Sequence, residues 1–378
     1  MAEAARQFSG RCQRPFETKT GHVVRCGSRV ASTCPSCAEL YRGDWAAIAR
    51  SGVFDGPVQD FRFYLLTLTA PSFGAVHRVP RSAGQSVPVC GCGVRHTVAD
   101  AGQRGVPLDP DSYDYEGQVE WNRDSGVLRD RTRRRMRDRW DSLEYFVVRE
   151  WQERGILHVH AILRIARGEA PDAAALGEAA RTATAASKIS GVVVAWGEQS
   201  RCDAFTADGN GAKTIWYLSK ALNYVMKDPA KATAPKGDLR AWWHLAYLEL
   251  AARSIRCSVV CGGEGCRSTV HRQYGSRSHV VSASRRTKHR TGWSFTGLTR
   301  TVQRRLRLGW FFAQTSPLGD QAPDVIEPTA HDRSLGAGSF GSVVPRGLLA
   351  TRGSPFGVNL TEIESGAPPS CCDQSMST

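Results

Sequence analysis

The sequence predicts an α+β protein, and three features carry that prediction. Phe61–Thr69 is apolar on both faces, as an interior strand is. Leu143–Arg164 reads as two strands joined by a Gly-containing turn. Helical segments, basic or aromatic, lie between and after them. A small Cys-rich zinc-binding module precedes all three.

That module is "RCQRPFETKTGHVVRCGSRVASTCPSCAELYRGD", which holds Cys12, Cys26, Cys34 and Cys37. Two thiolates from the tight Cys-Pro-Ser-Cys turn and two from preceding loops suit a tetrahedral structural zinc site. The module is expected to end near Gly43, where "DWAAIARSG" begins as an amphipathic helix capped by Asp44. Next comes "FRFYLLTLTAPSFG", whose strand is stopped by Pro71. A Gly-, Pro- and Asp-rich loop then runs from Gly74 to about Gly117 and contains "CGCGVRH" (Cys90, Cys92, His96). Leu128–Trp140, "LRDRTRRRMRDRW", reads as a helix with seven arginines, either a solvated face or a phosphate-contacting one.

"LEYFVVREWQERGILHVHAILR" reads as a β-hairpin. If Glu153, Arg154 and Gly155 form the loop, with positive φ at Gly155, then Gln152 pairs with Ile156 and Glu150 stands opposite His158. The alternation puts Ile156, His158 and His160 on one face and Leu157, Val159 and Ala161 on the other. Glu150, His158 and His160 then form a three-ligand set for Mg²⁺ or Mn²⁺ with coordination positions left open. The alternative is a hairpin whose histidines only hydrogen-bond their neighbours.

Downstream, "AKTIWYLSKALNYVMKD" places Tyr217 and Tyr224 seven residues apart, each followed three residues later by a lysine, Lys220 and Lys227. A nearby ammonium favours phenolate, so either tyrosine suits covalent catalysis; equally, both rings could pack in a core. Arg240–Arg256 and Thr296–Phe312 read as helices, the second basic. Between them Cys257, Cys261, Cys266 and His271 form either a further zinc site or scattered thiols, the same two readings that apply to Cys90, Cys92 and His96. The expected organisation is a Cys-rich module over 1–43 and a catalytic domain over 44–235 with an inserted loop at 74–117. A basic helical, Cys-containing DNA-binding region over 236–316 and a loose tail over 317–378 follow.

Composition narrows the function. The chain has 378 residues, 41% of them apolar, and 50 Lys plus Arg against 36 Asp plus Glu give a formal charge of +14, which favours a polyanion such as nucleic acid. There is no apolar run of the ~18 residues that a membrane span needs, and Met1–Phe16 lacks a signal-peptide core, so a bacterial cytoplasmic location is expected. Twelve cysteines in a reducing compartment argue for metal ligation over disulfides.

The strand "FYLLTLTAP", the "HVH" strand and the Tyr-x-x-Lys helix follow the motif order of HUH endonucleases. With the Cys-rich opening and "YDYEGQVEWN", "CGCGVRH" and "YGSRSHVVSASRR", the chain more closely resembles replication initiators of actinobacterial rolling-circle plasmids, over roughly its first 300 residues. The resemblance implies an antiparallel sheet with the histidine strand at its centre and helices across one face. It also implies the activity: a tyrosine attacks one strand at the plasmid origin, forms a 5′-phosphotyrosyl link and frees a 3′-OH that primes synthesis. His158 and His160 are the implied metal ligands, with Glu150 added from the hairpin register. Partners implied are origin DNA, single- and double-stranded, and host helicase and polymerase. Relatives usually carry a compact Tyr-x-x-Lys-Tyr-x-x-Lys, whereas Ala221 follows Lys220 here, so the choice between Tyr224, favoured, and Tyr217 stays open. Two other readings stand beside this one: a zinc-dependent DNA-binding protein without cleavage chemistry, and a relaxase or transposase of the same superfamily.

Overall fold

The computed structural model describes residues 12–19, 23–208, 211–215, 239–263, 265–276 and 281–306. A short hairpin, β1 (Phe16–Glu17) and β2 (Val23–Val24), precedes helix α1 (Pro35–Phe54) and strand β3 (Phe61–Leu68). Helix α2 (Tyr115–Arg139), strands β4 (Glu144–Trp151) and β5 (Leu157–Ala166), and helix α3 (Ala173–Arg181) follow. Strands β6 (Thr184–Ala186) and β7 (Val193–Ala195) form a second small hairpin. Strand β8 (Arg201–Phe205), helix α4 (Leu239–Ser254) and strand β9 (Val281–Ala283) complete the order.

Five strands form one antiparallel sheet in the order β8-β3-β5-β4-β9, with the histidine strand β5 at its centre. The sheet is built from strands far apart in the chain, and helices cover both of its faces rather than the single face expected. On one face α2 and α3 bury Trp121, Leu128, Met136, Leu176 and Ala180 against Tyr64, Leu66, Leu157, Val159, Ala161 and Leu163. On the other, α1 lays Ile48, Ala49 and Val53 with Trp293 over Phe63, Phe146, Val148 and Ile162. The strand alternation is apolar on both sides over most of its length, so both faces demand a cover.

Three expected boundaries fall elsewhere. Helix α1 starts at Pro35, with Cys34 at its N-cap, and passes straight through Gly43. Proline at the first helical position is preorganised for that start. Asp44 is therefore no cap; it is 1% exposed, with an oxygen 3.7 Å from Arg300 Nε. The cysteine segment and the sheet-covering helix are thus continuous. Helix α2 begins at Tyr115 rather than Leu128, because Asp114 caps it by accepting from Gly117 N–H. The segment after 236 is not set apart from the sheet: β9 pairs with β4, and Trp293 is fully buried under α1.

Arg164 shows how this last segment is fastened. It lies fully buried on the α1 face, donating from Nη1 to Gly52 O at 2.9 Å and from Nη2 to Gly292 O, with its guanidinium 3.6 Å from the Phe295 ring centre. Burial pulls its pKa down to about 10. Gly52 is required at this joint, since a Cβ there would stand 2.2 Å from the Trp293 ring. Beyond β9, residues 300–306 are helical, in agreement with the basic helix read from Thr296. No described helix is long and apolar enough to cross a membrane.

Candidate metal centre on the histidine hairpin

The turn between β4 and β5 has the geometry expected from its residues. Gln152 N–H donates to Ile156 O at 2.9 Å, Gly155 has φ of +70°, and the register pairs Glu150 with His158 and Val148 with His160. Because paired residues share a face, Glu150, His158 and His160 converge, and one potential ligand atom from each lies within 4.8 Å of the others. The three side chains stand on two adjacent strands in the middle of a sheet, so the backbone and not a loop fixes their spacing.

Strand β3 adds a partner that the sequence did not disclose. Thr67 pairs with His160 across the sheet, and its Oγ1 is 3.1 Å from His160 Nδ1. His160 Nε2 lies 3.2 Å from Glu150 Oε1; where the Thr67 hydroxyl accepts the Nδ1 proton, the Nε2 lone pair can instead bind a cation shared with that oxygen. Gln152 Nε2 lies 3.2 Å from His158 Nδ1. Both contacts depend on strand and turn register, so no local motif announces Thr67 or Gln152. His160 is 1% exposed and His158 is 9% exposed, while Glu150 remains partly accessible. Burial first, then the neighbouring His160, Arg81 and Arg154, pulls the His158 pKa down to about 3, which keeps its imidazole neutral and able to ligate. Nitrogen and carboxylate donors with one accessible side suit a divalent cation that also takes a phosphate oxygen. Tyr217, Lys220, Tyr224 and Lys227 lie outside the described residues. The chain approaches them from Ile215, which is buried in the apolar cluster on the histidine face.

Three further groups bring four ligand atoms each within 4.8 Å, and each could hold a metal such as zinc. A tetrahedral zinc site sets ligand–ligand edges at about 3.8 Å for S···S, 3.6 Å for S···N and 3.3 Å for N···N. Cys12, Cys26, Cys34 and Cys37 come together with Cys12 Sγ at 3.9 Å from Cys34 Sγ and 3.6 Å from Cys37 Sγ. Burial opposes ionisation of Cys34, but backbone N–H groups of Gln13 and Cys37 bring its pKa down to about 6. The other groups are Cys257, Cys261, Cys266 and His271, and Cys90, Cys92 and His96 joined by His77. Nothing local marks His77, a lone histidine 13 residues before Cys90, as a ligand; the backbone bonds that hold it beside Val106 bring it in.

The family model described as "Replication initiator protein, pSAM2" matches residues 4–330. The chain belongs to this replication initiator family. A replication initiator protein from Streptomyces ambofaciens is 34% identical over 255 residues, covering 57% of this chain and 54% of that protein. The chain thus spans about half the length of this curated relative. No solved structure matches. The matched range of the initiator family takes in all four ligand groups, from Cys12 to His271.

Proposed function

We propose that this initiator nicks one DNA strand at its replication origin through a tyrosine, with Glu150, His158 and His160 forming the metal centre of an HUH-type nuclease. The observation that carries the reading is the hairpin register, which sets a carboxylate beside two buried imidazoles on one sheet face. Mg²⁺ or Mn²⁺ held there would supply Lewis-acid polarisation of the scissile phosphate. Thr67 orients the His160 ring, and the sheet fixes the spacing. The phenolate oxygen of Tyr224 bonds to phosphorus while the bond from phosphorus to the 3′ oxygen breaks. That oxygen leaves as a 3′-hydroxyl after taking up a proton, and the 5′-phosphate stays on the tyrosine. Lys227 and Lys220 favour the phenolate electrostatically. Tyr217 serves the same role or a later strand transfer.

The remaining assignments follow from this one. Cys12, Cys26, Cys34 and Cys37 hold a structural zinc at the start of α1. The arginines of α2 and the net positive charge supply phosphate contacts to origin DNA in single- and double-stranded form, and the freed 3′-OH is handed to host helicase and polymerase. A DNA-binding protein without cleavage chemistry would use the cysteine groups equally well, but it leaves the Glu150, His158 and His160 set without a purpose. A relaxase or transposase would share the chemistry on other DNA.

The test is incubation of the full chain with supercoiled and single-stranded origin DNA and Mn²⁺, followed by peptide mapping of any protein–DNA adduct. The expected nucleotide is on Tyr224, with Tyr224→Phe blocking the adduct and Tyr217→Phe reducing it. Attachment at Tyr217 reverses the assignment, and attachment at neither removes both tyrosines from the mechanism.

A further inference from the structure

The turn that carries the histidines is gripped from two sides, and each grip ends in a four-ligand group outside the nicking centre. On one side is the inserted loop. His77 Nδ1 lies 3.2 Å from His96 Nε2 and 3.6 Å from Cys90 Sγ, and Cys92 Sγ lies 3.4 Å from His96 Nε2. These match the N···N and N···S edges of a zinc tetrahedron, about 3.3 and 3.6 Å. The loop is shaped for it. Gly93, at φ of +85°, donates its N–H to Cys90 O, and Arg78 N–H points at Cys90 Sγ at 3.5 Å. Asp100 Oδ2 stands 3.5 Å behind His96 Nδ1, as carboxylates stand behind zinc-bound imidazoles. From this lobe Arg104 reaches out, its Nη1 3.0 Å from Glu153 in the hairpin turn while its Nε and Nη2 donate to Val79 O and Pro80 O.

On the other side Cys257 Sγ is 3.6 Å from Cys266 Sγ, and Cys261 Sγ is 3.5 Å from His271 Nε2. His271 Nδ1–H donates to Ala252 O at 2.8 Å, which leaves Nε2 as the free lone pair and ties the group to the end of α4. Helix α4 returns to the same turn: His244 Nε2 is 3.1 Å from Arg154 O. Three residues after His271, Tyr274 adopts a positive φ of 46°, sets its ring 6.0 Å from Trp151 and accepts from Asn122 Nδ2. Asn122 bonds Gly155 O and Leu157 N–H as well.

We infer that His77, Cys90, Cys92 and His96 bind one zinc ion, that Cys257, Cys261, Cys266 and His271 bind another, and that these two ions brace the turn of the histidine hairpin. The donors are thiolate and imidazole, soft enough to select zinc over the oxygen-loving cation of the nicking centre. With four protein ligands each site is closed, so its role is positional. Both ions can be detected through metal content and backbone protection, without any nicking activity.

Elemental analysis of the full-length protein should find three equivalents of zinc, one for each four-ligand cluster. His77→Ala and His271→Ala should each lose one equivalent and speed hydrogen exchange in the turn around residues 152–157 by about tenfold or more, with strand β3 unchanged; His77→Cys should keep both zinc and protection. A measurement on the wild type guards against variants that fail to fold: Cys92, exposed in the structure, should resist alkylation until zinc is chelated. A wild type holding one equivalent, or a Cys92 alkylated at the same rate with and without chelator, overturns the zinc assignment. Loss of one equivalent with no change in exchange overturns the bracing role.

Discussion

The histidine hairpin and the cysteine-rich lobes use metal-binding residues in opposite ways. Glu150, His158 and His160 are three donors on two neighbouring strands, with one side accessible. Each lobe gathers four donors from irregular backbone or a helix start, at least two of them buried. Open three-ligand sets leave coordination positions for substrate, whereas closed four-ligand sets replace missing core. The contrast teaches where rigidity comes from. The hairpin is rigid because the sheet is buried on both faces; the buried cluster of the opening segment consists of its cysteines alone, so that segment needs another source of order.

The contrast is broken most sharply at the hairpin. His158→Ala and His160→Ala should each lower adduct formation by roughly a hundredfold or more, since each removes a ligand from a three-donor set. Duplex binding, measured by gel shift, should stay close to wild type, because ligands that organise a scissile phosphate are not what grips the duplex. Nicking retained by both variants would remove the cluster from the mechanism. The replacement of Cys34 and Cys37 by Ser should act in the reverse order, reducing soluble yield and thermal stability before it touches catalysis of the folded fraction. Folded wild-type protein devoid of zinc would contradict this. The mildest change sharpens the comparison within the hairpin itself. Gly155→Ala puts a Cβ on a residue with φ of +70°, 2.5 Å from Leu248 Cδ1, and should cost about 1–2 kcal/mol in denaturant unfolding. A neutral result would mean that the turn relaxes freely.

Much of this hairpin was legible in the sequence. Strict alternation around His158 and His160 and a glycine at the one turn position needing positive φ are local signals, and local signals fix register. The Cys-rich opening was readable for the same reason. What was hidden depends on distant pairing. Thr67 meets His160 only because β3 lies beside β5, and His77 joins its cluster only through backbone bonds to Val106. The covering of both sheet faces is concealed because α1 grows directly out of the cysteine segment, and Gly43 in its middle looks like a break. Glycine inside a helix costs only about 1 kcal/mol, which the packing of α1 against the sheet outweighs.

The most direct test of the central claim treats the two classes of site together. Brief exposure of the full-length protein to EDTA, followed by parallel measurement of bound zinc and of adduct formed on single-stranded origin DNA, separates an exchangeable centre from closed ones. The account predicts that adduct formation is lost while zinc stays bound, and that Mn²⁺ or Mg²⁺ alone restores it. Adduct formation that survives EDTA, or that falls in step with zinc and returns only with zinc, would contradict it.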